Sequence, residues 1–168
     1  MLRQRVITAL ILAGALSATL LFASYPVQAM LFALVAAAGA WAWAVLVGSK
    51  GVLSRAFYVA VIPLLCGALW MGLALDGPEA ALHARPWLAA AALLWSAMLV
   101  GLKSDSAGCG IWGYVWVRAV MGWLMLTATW LAVTVCLTLI NGPFVVFLLI
   151  LTVAAADIGA YFAGRRFG

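Results

Sequence analysis

Long stretches without a single charge decide what this chain can become. Residues 6–49 carry no Asp, Glu, Lys or Arg, and neither do residues 56–75, 86–102 or 119–156. A helix that crosses the hydrocarbon core of a bilayer needs about 20 predominantly apolar residues. The first stretch is long enough for two such helices, with Ser24-Tyr25-Pro26 as the break, because proline disfavours helix in the residue before it. The last is long enough for two more, with Asn141-Gly142-Pro143 as the turn. Six spans result, at about 6–24, 27–47, 56–75, 86–102, 116–140 and 143–163. Backbone groups in lipid have to be satisfied internally, which makes these spans helices, and the alternating segments of a membrane barrel are absent.

Composition closes the other routes. The 168 residues hold nine Lys or Arg and four Asp or Glu, 8% charged against 69% hydrophobic. A water-soluble domain carries about 25% charged residues, and a disordered chain needs low hydrophobicity with high charge. The expected architecture is an all-α integral membrane protein, a polytopic bundle of about six transmembrane helices forming a single transmembrane domain over residues 1–168. Cys66 and Cys136 lie in apolar runs and Cys109 in a loop, with no Cys-x-x-Cys pair, so neither a disulfide framework nor a zinc site is indicated.

Basic residues in short loops set orientation. With the N-terminus in the cytoplasm, Arg3, Arg5, Lys50, Arg55, Lys103, Arg118, Arg165 and Arg166 all fall on the cytoplasmic side. Only Arg85 falls outside, in a loop with Asp76, Glu79 and His83. This bias predicts two cytoplasmic termini and an even number of spans, in the inner (plasma) membrane of a cell. Arg3, Arg5, the apolar run and Val27-Gln28-Ala29 also resemble a cleaved signal peptide. The run from Val6 to Ala23 exceeds the usual 7–15 residues of such a peptide, and a second span follows at once, so the first helix is expected to remain.

Small residues cluster at 36–40, 89–92 and 154–164, as close helix packing in lipid requires. Pro63 is expected to kink the third span. Trp112, Tyr114, Trp116 and Trp123 suggest that the fourth-to-fifth connection lies at the level of the lipid headgroups.

Asp157 is the residue most suggestive of chemistry. It precedes Arg165 by eight positions, about 12 Å deeper along a helix. A charge at mid-membrane costs about 2.5–3.5 kcal/mol on insertion scales, so an acid there faces a cavity, pairs, or stays protonated. One reading is a buried acid paired with a neighbouring helix; the other is a ligand or proton site. Tyr161 and Gly164 share its face, one and two turns on. A carboxylate near the cytoplasmic surface suits magnesium, which prefers carboxylate, water and phosphate oxygens. Arg165 and Arg166 either set topology and attract anionic lipid, at about 1 kcal/mol each, or bind phosphate in bidentate fashion. Arg118 is expected to snorkel to the interface. Residues 108–113 fit Gly-x-Gly-x-x-Gly, but neither strand nor βαβ unit surrounds them, so nucleotide binding there is not expected. His83 reads as a solvated loop residue, and no Ser/His/Asp set, His-Glu-x-x-His or Walker loop is present.

The segment Asp157-Ile158-Gly159-Ala160-Tyr161-Phe162-Ala163-Gly164-Arg165-Arg166-Phe167-Gly168 resembles the D-x-x-A-Y-x-x-G-R-x-F-G string of the phosphatidate cytidylyltransferase (CDP-diacylglycerol synthase) family. Leu2-Arg3-Gln4-Arg5-Val6-Ile7-Thr8-Ala9 is similar to that family's opening, and Ala40-Trp41-Ala42-Trp43 with Leu46 and Gly48 to its second-helix aromatic patch. There Ala42 stands where the family commonly has Glu. The resemblance implies a magnesium-dependent nucleotidyltransferase of phospholipid biosynthesis, joining CTP and phosphatidate into CDP-diacylglycerol and pyrophosphate. It implies Asp157 as catalytic metal ligand, and Tyr161, Arg165 and Arg166 around the substrates. Its partners would be these substrates, the bilayer and a possible second copy, with no nucleic acid. The family continues past this string with a Ser-Pro-Lys-type segment and further acids, so the chain is expected to be an N-terminal part lacking some of the active site and inactive alone. The competing reading is a small non-catalytic membrane module, such as a transporter subunit using Asp157 as a proton or ion site.

Overall fold

The structure, a computed structural model, describes residues 2–104, 110 and 113–167. Among the described residues there are six helices: α1 Leu2–Phe22, α2 Tyr25–Val47, α3 Val52–Gly72, α4 Ala80–Ser104, α5 Val115–Leu137 and α6 Gly142–Phe167. Windows within α2 to α6 are long and apolar enough to cross a membrane, five in all; the described apolar part of α1 is Ala13–Phe22. The expected polytopic helical architecture is the one observed.

Both predicted breaks hold. Pro26 and Pro143 each stand second in their helix, where the missing N–H is an orphan in any case. Several boundaries differ from the charge-free limits. α4 begins at Ala80 rather than near 86, because Leu82 and His83 N–H both bond the Glu79 carbonyl and the polar turn through Arg85 is helical, with Pro86 inside it. α3 likewise begins at Val52 and runs unbroken through Pro63. Absence of charge marks the part of a helix that suits lipid; hydrogen bonds mark the helix.

Two helix ends are closed in the same manner. Gly48 has φ 95°, with Ser49 N–H on the Ala44 carbonyl and Gly48 N–H on that of Val45. Ala74 has φ 45°, with Leu75 N–H on the Trp70 carbonyl and Ala74 N–H on that of Met71. These are Schellman closures, which satisfy carbonyls left over at a C-terminus. The second places an alanine where glycine is usual.

The chain divides into two compact units, residues 1–28 with 136–168 and residues 29–135. In the first, α6 packs on α1. Gln28, only 4% exposed, turns its amide back onto the last turn of α1, donating to the carbonyls of Leu20 and Ala23 at 3.1 Å each. It satisfies groups that lipid cannot.

In the second unit α2 presents a buried face of Ala29, Phe32, Ala36, Ala40, Ala44 and Val47, spaced three or four residues apart. Small side chains at this spacing let another helix approach closely, as expected for residues 36–40. Trp130 Nε1 donates to the Ala29 carbonyl at 2.9 Å, and Trp43 Nε1 to that of Arg118 at 3.0 Å. As the donor or acceptor position rises along α2 it falls along α5, so these bonds fix an antiparallel register. The small residues at 89–90 and 154–164, by contrast, are exposed.

Candidate functional site

α6 carries every residue that the sequence nominates for chemistry. Its helix runs unbroken from Gly142 to Phe167, and Arg165 and Arg166 fall in its last turn, where cations complement the helix dipole. Asp157, Tyr161, Arg165 and Arg166 are all exposed. The Asp157 carboxylate has no hydrogen bond or ion pair among the described residues, while its backbone is part of the helix. The pairing with a neighbouring helix that the sequence left open is not formed there. Successive residues advance about 100° around a helix. Tyr161 therefore stands about 40° from Asp157 and Arg165 about 80°, while Arg166 stands about 180° away, on the far side. Tyr161 sits edge-on to Phe162, ring centroids 5.6 Å apart. The groove between α1 and α6 is walled by Ala13, Gly14, Ser17, Phe147, Ile150 and Ala154, and so stops three residues short of Asp157.

Magnesium would need several oxygen ligands here. Among the described residues no group of three His, Cys, Asp or Glu side chains converges. One carboxylate on an open helix face does not by itself make a magnesium site, so the described residues do not fit the ion unaided.

A second constellation, which the sequence did not bring together, lies in the unit 29–135. Arg118 is in the first turn of α5 and donates from Nη1 to the Leu46 carbonyl at the end of α2, 3.0 Å away. Tyr58 Oη donates to the Ala119 carbonyl at 2.9 Å, and Trp123 Nε1 to the Tyr58 carbonyl at 3.0 Å, with the two rings stacked at 5.0 Å. Arg55 donates from Nε to the Ser49 carbonyl at 3.1 Å and lies 6.0 Å from the Trp41 ring centroid. Gly122 makes this possible. A helical side chain leans over the turn before it, so a side chain at 122 would cover the carbonyls of 118 and 119. A Cβ there would run into the Trp43 indole and the Tyr58 hydroxyl. Beside this knot, Trp43, Trp95, Met98, Leu99, Met121 and Met125 enclose an apolar cleft of about 230 Å³, with Arg118 at its wall. Arg118 Nε is buried and has no hydrogen-bond partner. Snorkelling alone does not describe Arg118. The sequence signal for this knot is slight: a lone glycine four residues after an arginine in an apolar run.

The expected headgroup-level connection and the Gly-x-Gly-x-x-Gly stretch fall largely on residues 105–109, 111 and 112, outside the described residues. Tyr114 and Trp116 are exposed, their rings 6.2 Å apart. Of Arg3, Arg5 and Lys103 only the helical backbone is described.

Long apolar helices define a multi-pass membrane protein, with an exposed acid and two arginines toward one end of the last helix. The chain belongs to the cytidylyltransferase family, which it matches over residues 3–168. It is 32% identical over 170 residues to the phosphatidate cytidylyltransferase of Pseudomonas aeruginosa, an alignment covering 100% of this chain and 59% of that protein. The chain therefore spans less than two thirds of the length of this curated relative. No solved structure matches it. The resemblance seen in the Asp157–Gly168 string is thus shown at the level of the family.

Proposed function

We propose that the protein acts as a phosphatidate cytidylyltransferase, a nucleotidyltransferase of phospholipid synthesis with CTP and phosphatidate as substrates. The family match along the whole chain carries this reading, together with the relative's name. The site on α6 is consistent with it: an exposed carboxylate without a partner, on a helix that ends in two arginines. A phosphate oxygen of phosphatidate attacks the α-phosphorus of CTP. The new P–O bond forms as the bond to the bridging oxygen breaks, and pyrophosphate leaves. Both substrates are polyanions at the attacked centre, so positioning and charge stabilisation are the protein's main task.

Asp157 is proposed as one oxygen ligand of a magnesium ion that neutralises phosphate charge when bound. Tyr161 and Arg165, on the same side of α6, are proposed to hold phosphate oxygens. Arg166, on the far side, is proposed to contact the lipid headgroup layer or a second phosphate. The active side is proposed to be cytoplasmic, where the basic residues gather and CTP is available.

The test is CDP-diacylglycerol formation by membranes containing the protein, supplied with labelled CTP and phosphatidate. Absence of product dependent on both substrates overturns the reaction. Asp157→Asn keeps the shape and removes the charge, and turnover per folded molecule is expected to fall at least about 100-fold, roughly 3 kcal/mol of transition-state stabilisation. Unchanged turnover and unchanged magnesium dependence would remove Asp157 from the site while leaving the reaction standing. A proton or ion flux abolished by the same substitution, without nucleotidyl transfer, would favour an ion-site module instead.

A further inference from the structure

From the sequence His83 reads as a solvated loop residue, but the structure gives it a fixed place. It is the only histidine of the chain and stands in the first turn of α4, with Glu79 four residues before it at the helix start. Leu73, Leu75, Ala80 and Ala84 are all buried, which holds the turn from α3 and the first turn of α4 in position. Glu79 and His83 each precede one of these alanines, so they form a row on the exposed shoulder of the same helix. Arg85, two residues beyond His83, stands about 200° around the helix from it. The imidazole is oriented as well. Nδ1 lies 3.1 Å from the Leu73 carbonyl at the end of α3. A carbonyl only accepts, so Nδ1 carries the hydrogen and neutral His83 has its lone pair on Nε2. Glu79 Oε2 is 3.7 Å from that nitrogen. A direct N–H···O hydrogen bond spans about 2.7–3.2 Å, so this gap is too long for one. It suits a metal ion held by both atoms, since two bonds of about 2.1 Å across it enclose an angle of about 120°. A backbone carbonyl on the other ring nitrogen is also what orients a metal-binding histidine and fixes its tautomer.

We propose that Glu79 Oε2 and His83 Nε2 form a two-point site for a divalent transition-metal ion such as zinc, on the turn between α3 and α4. Water completes the coordination shell, because among the described residues no third His, Cys, Asp or Glu converges with them. Affinity is therefore modest, with Kd on the order of 0.1 mM. Imidazole beside a carboxylate suits zinc, copper and nickel, whereas magnesium and calcium take oxygen ligands. His83 holds the Leu73 carbonyl through one nitrogen and the ion through the other, so binding ties the start of α4 to the end of α3. A proton is the rival occupant, and it leaves only an i,i+4 ion pair between the two side chains. The site uses no residue of α6 and does not rest on the proposed reaction.

A single histidine makes the test direct. The full chain is labelled with 15N-histidine, purified in detergent micelles without a histidine tag, and titrated with zinc chloride at neutral pH while the two ring nitrogens are followed by NMR. Without metal the Nδ1–H tautomer is expected to dominate. Zinc should shift the Nε2 resonance with half-saturation near about 0.1 mM, and magnesium at about 1 mM should leave it in place. Glu79→Gln keeps the shape of an exposed side chain and removes its charge; it should retain the tautomer and weaken zinc binding at least about fivefold. Zinc should also raise the melting temperature of the wild-type protein, by mass action on the folded turn, and not that of Glu79→Gln. An Nε2–H tautomer overturns the proposal, and so does a zinc response that is equal in Glu79→Gln, which would be the imidazole acting alone. A spectrum unchanged at about 1 mM zinc leaves the pair as an ion pair only and overturns it too. An equal response to magnesium does the same, since it reports the carboxylate and not the pair.

Discussion

Substituting Gly122 by alanine should damage the second unit far more than one methyl group suggests. The added Cβ meets the Trp43 indole and the Tyr58 hydroxyl, and neither ring is free to move aside. The first donates to the Arg118 carbonyl and the second to that of Ala119, so retreat breaks a hydrogen bond in each case. Interhelical side-chain hydrogen bonds in membranes are worth about 0.6 kcal/mol on average, and overpacking a tight contact costs about 1–3 kcal/mol. Against this, alanine gains about 1 kcal/mol of helix propensity over glycine. The net expectation is a loss of about 1–3 kcal/mol. Gly67→Ala is the control. It lies inside α3 with nothing within 4 Å of its would-be Cβ, so only the propensity gain remains and stability should hold or rise. Gly39→Ala lies between them, because its nearest neighbour is the flexible tip of Leu126 at 3.1 Å. Unfolding of the three variants in mixed micelles, followed by tryptophan fluorescence and far-UV circular dichroism, gives the ranking. A Gly122→Ala protein as stable as Gly67→Ala would refute the claim that this glycine exists to expose two carbonyls.

Gln28→Leu should destabilise the turn between α1 and α2 by about 1–3 kcal/mol, because the carbonyls of Leu20 and Ala23 lose their buried donor; proteolysis in that turn, faster than in wild type, is the readout. Ala74→Gly should stabilise the end of α3, since an L-residue in the left-handed region costs about 1–2 kcal/mol and glycine does not; a melting temperature below wild type would contradict the closure described. Orientation is tested by Glu79→Cys, expected to react with an impermeant thiol reagent from the outer side only; labelling solely from the cytoplasm reverses the topology drawn from the basic residues.

The helices were legible because charge depletion accumulates over about 20 residues and no other fold tolerates it. Their ends were less so. Nothing in the apolar pattern says that Ala74 takes a glycine's conformation, or that the polar turn before Pro86 is helical; both follow from hydrogen bonds that close only when the turn is built. Asp157 stood out as a candidate because it is the one acid in a long apolar helix, where a charge is expensive if the helix crosses lipid. Its neighbours were legible only as far as helical phase reaches, which joins Tyr161 to it and places Arg166 on the opposite side. Gly122 left only a slight signal, a lone glycine in an apolar run, because what makes it necessary comes from Trp43 and Tyr58 on two other helices.

The arginines show why the rest could not be read. The sequence treats Arg55, Arg118 and Arg165 alike, as cations on one side of a membrane, and the topology rule needs no more from them. The structure separates them by what they already hold. Arg55 is engaged by a backbone carbonyl and lies near an indole face. Arg118 is half engaged, with a buried nitrogen still unsatisfied. Arg165 is exposed, on the same side of α6 as an unpaired carboxylate. The charges that orient a membrane protein also lie at headgroup depth, where phosphates are found. An arginine at that depth can meet a phosphate only with the nitrogens its own fold has left free, and the partners already taken differ among the three.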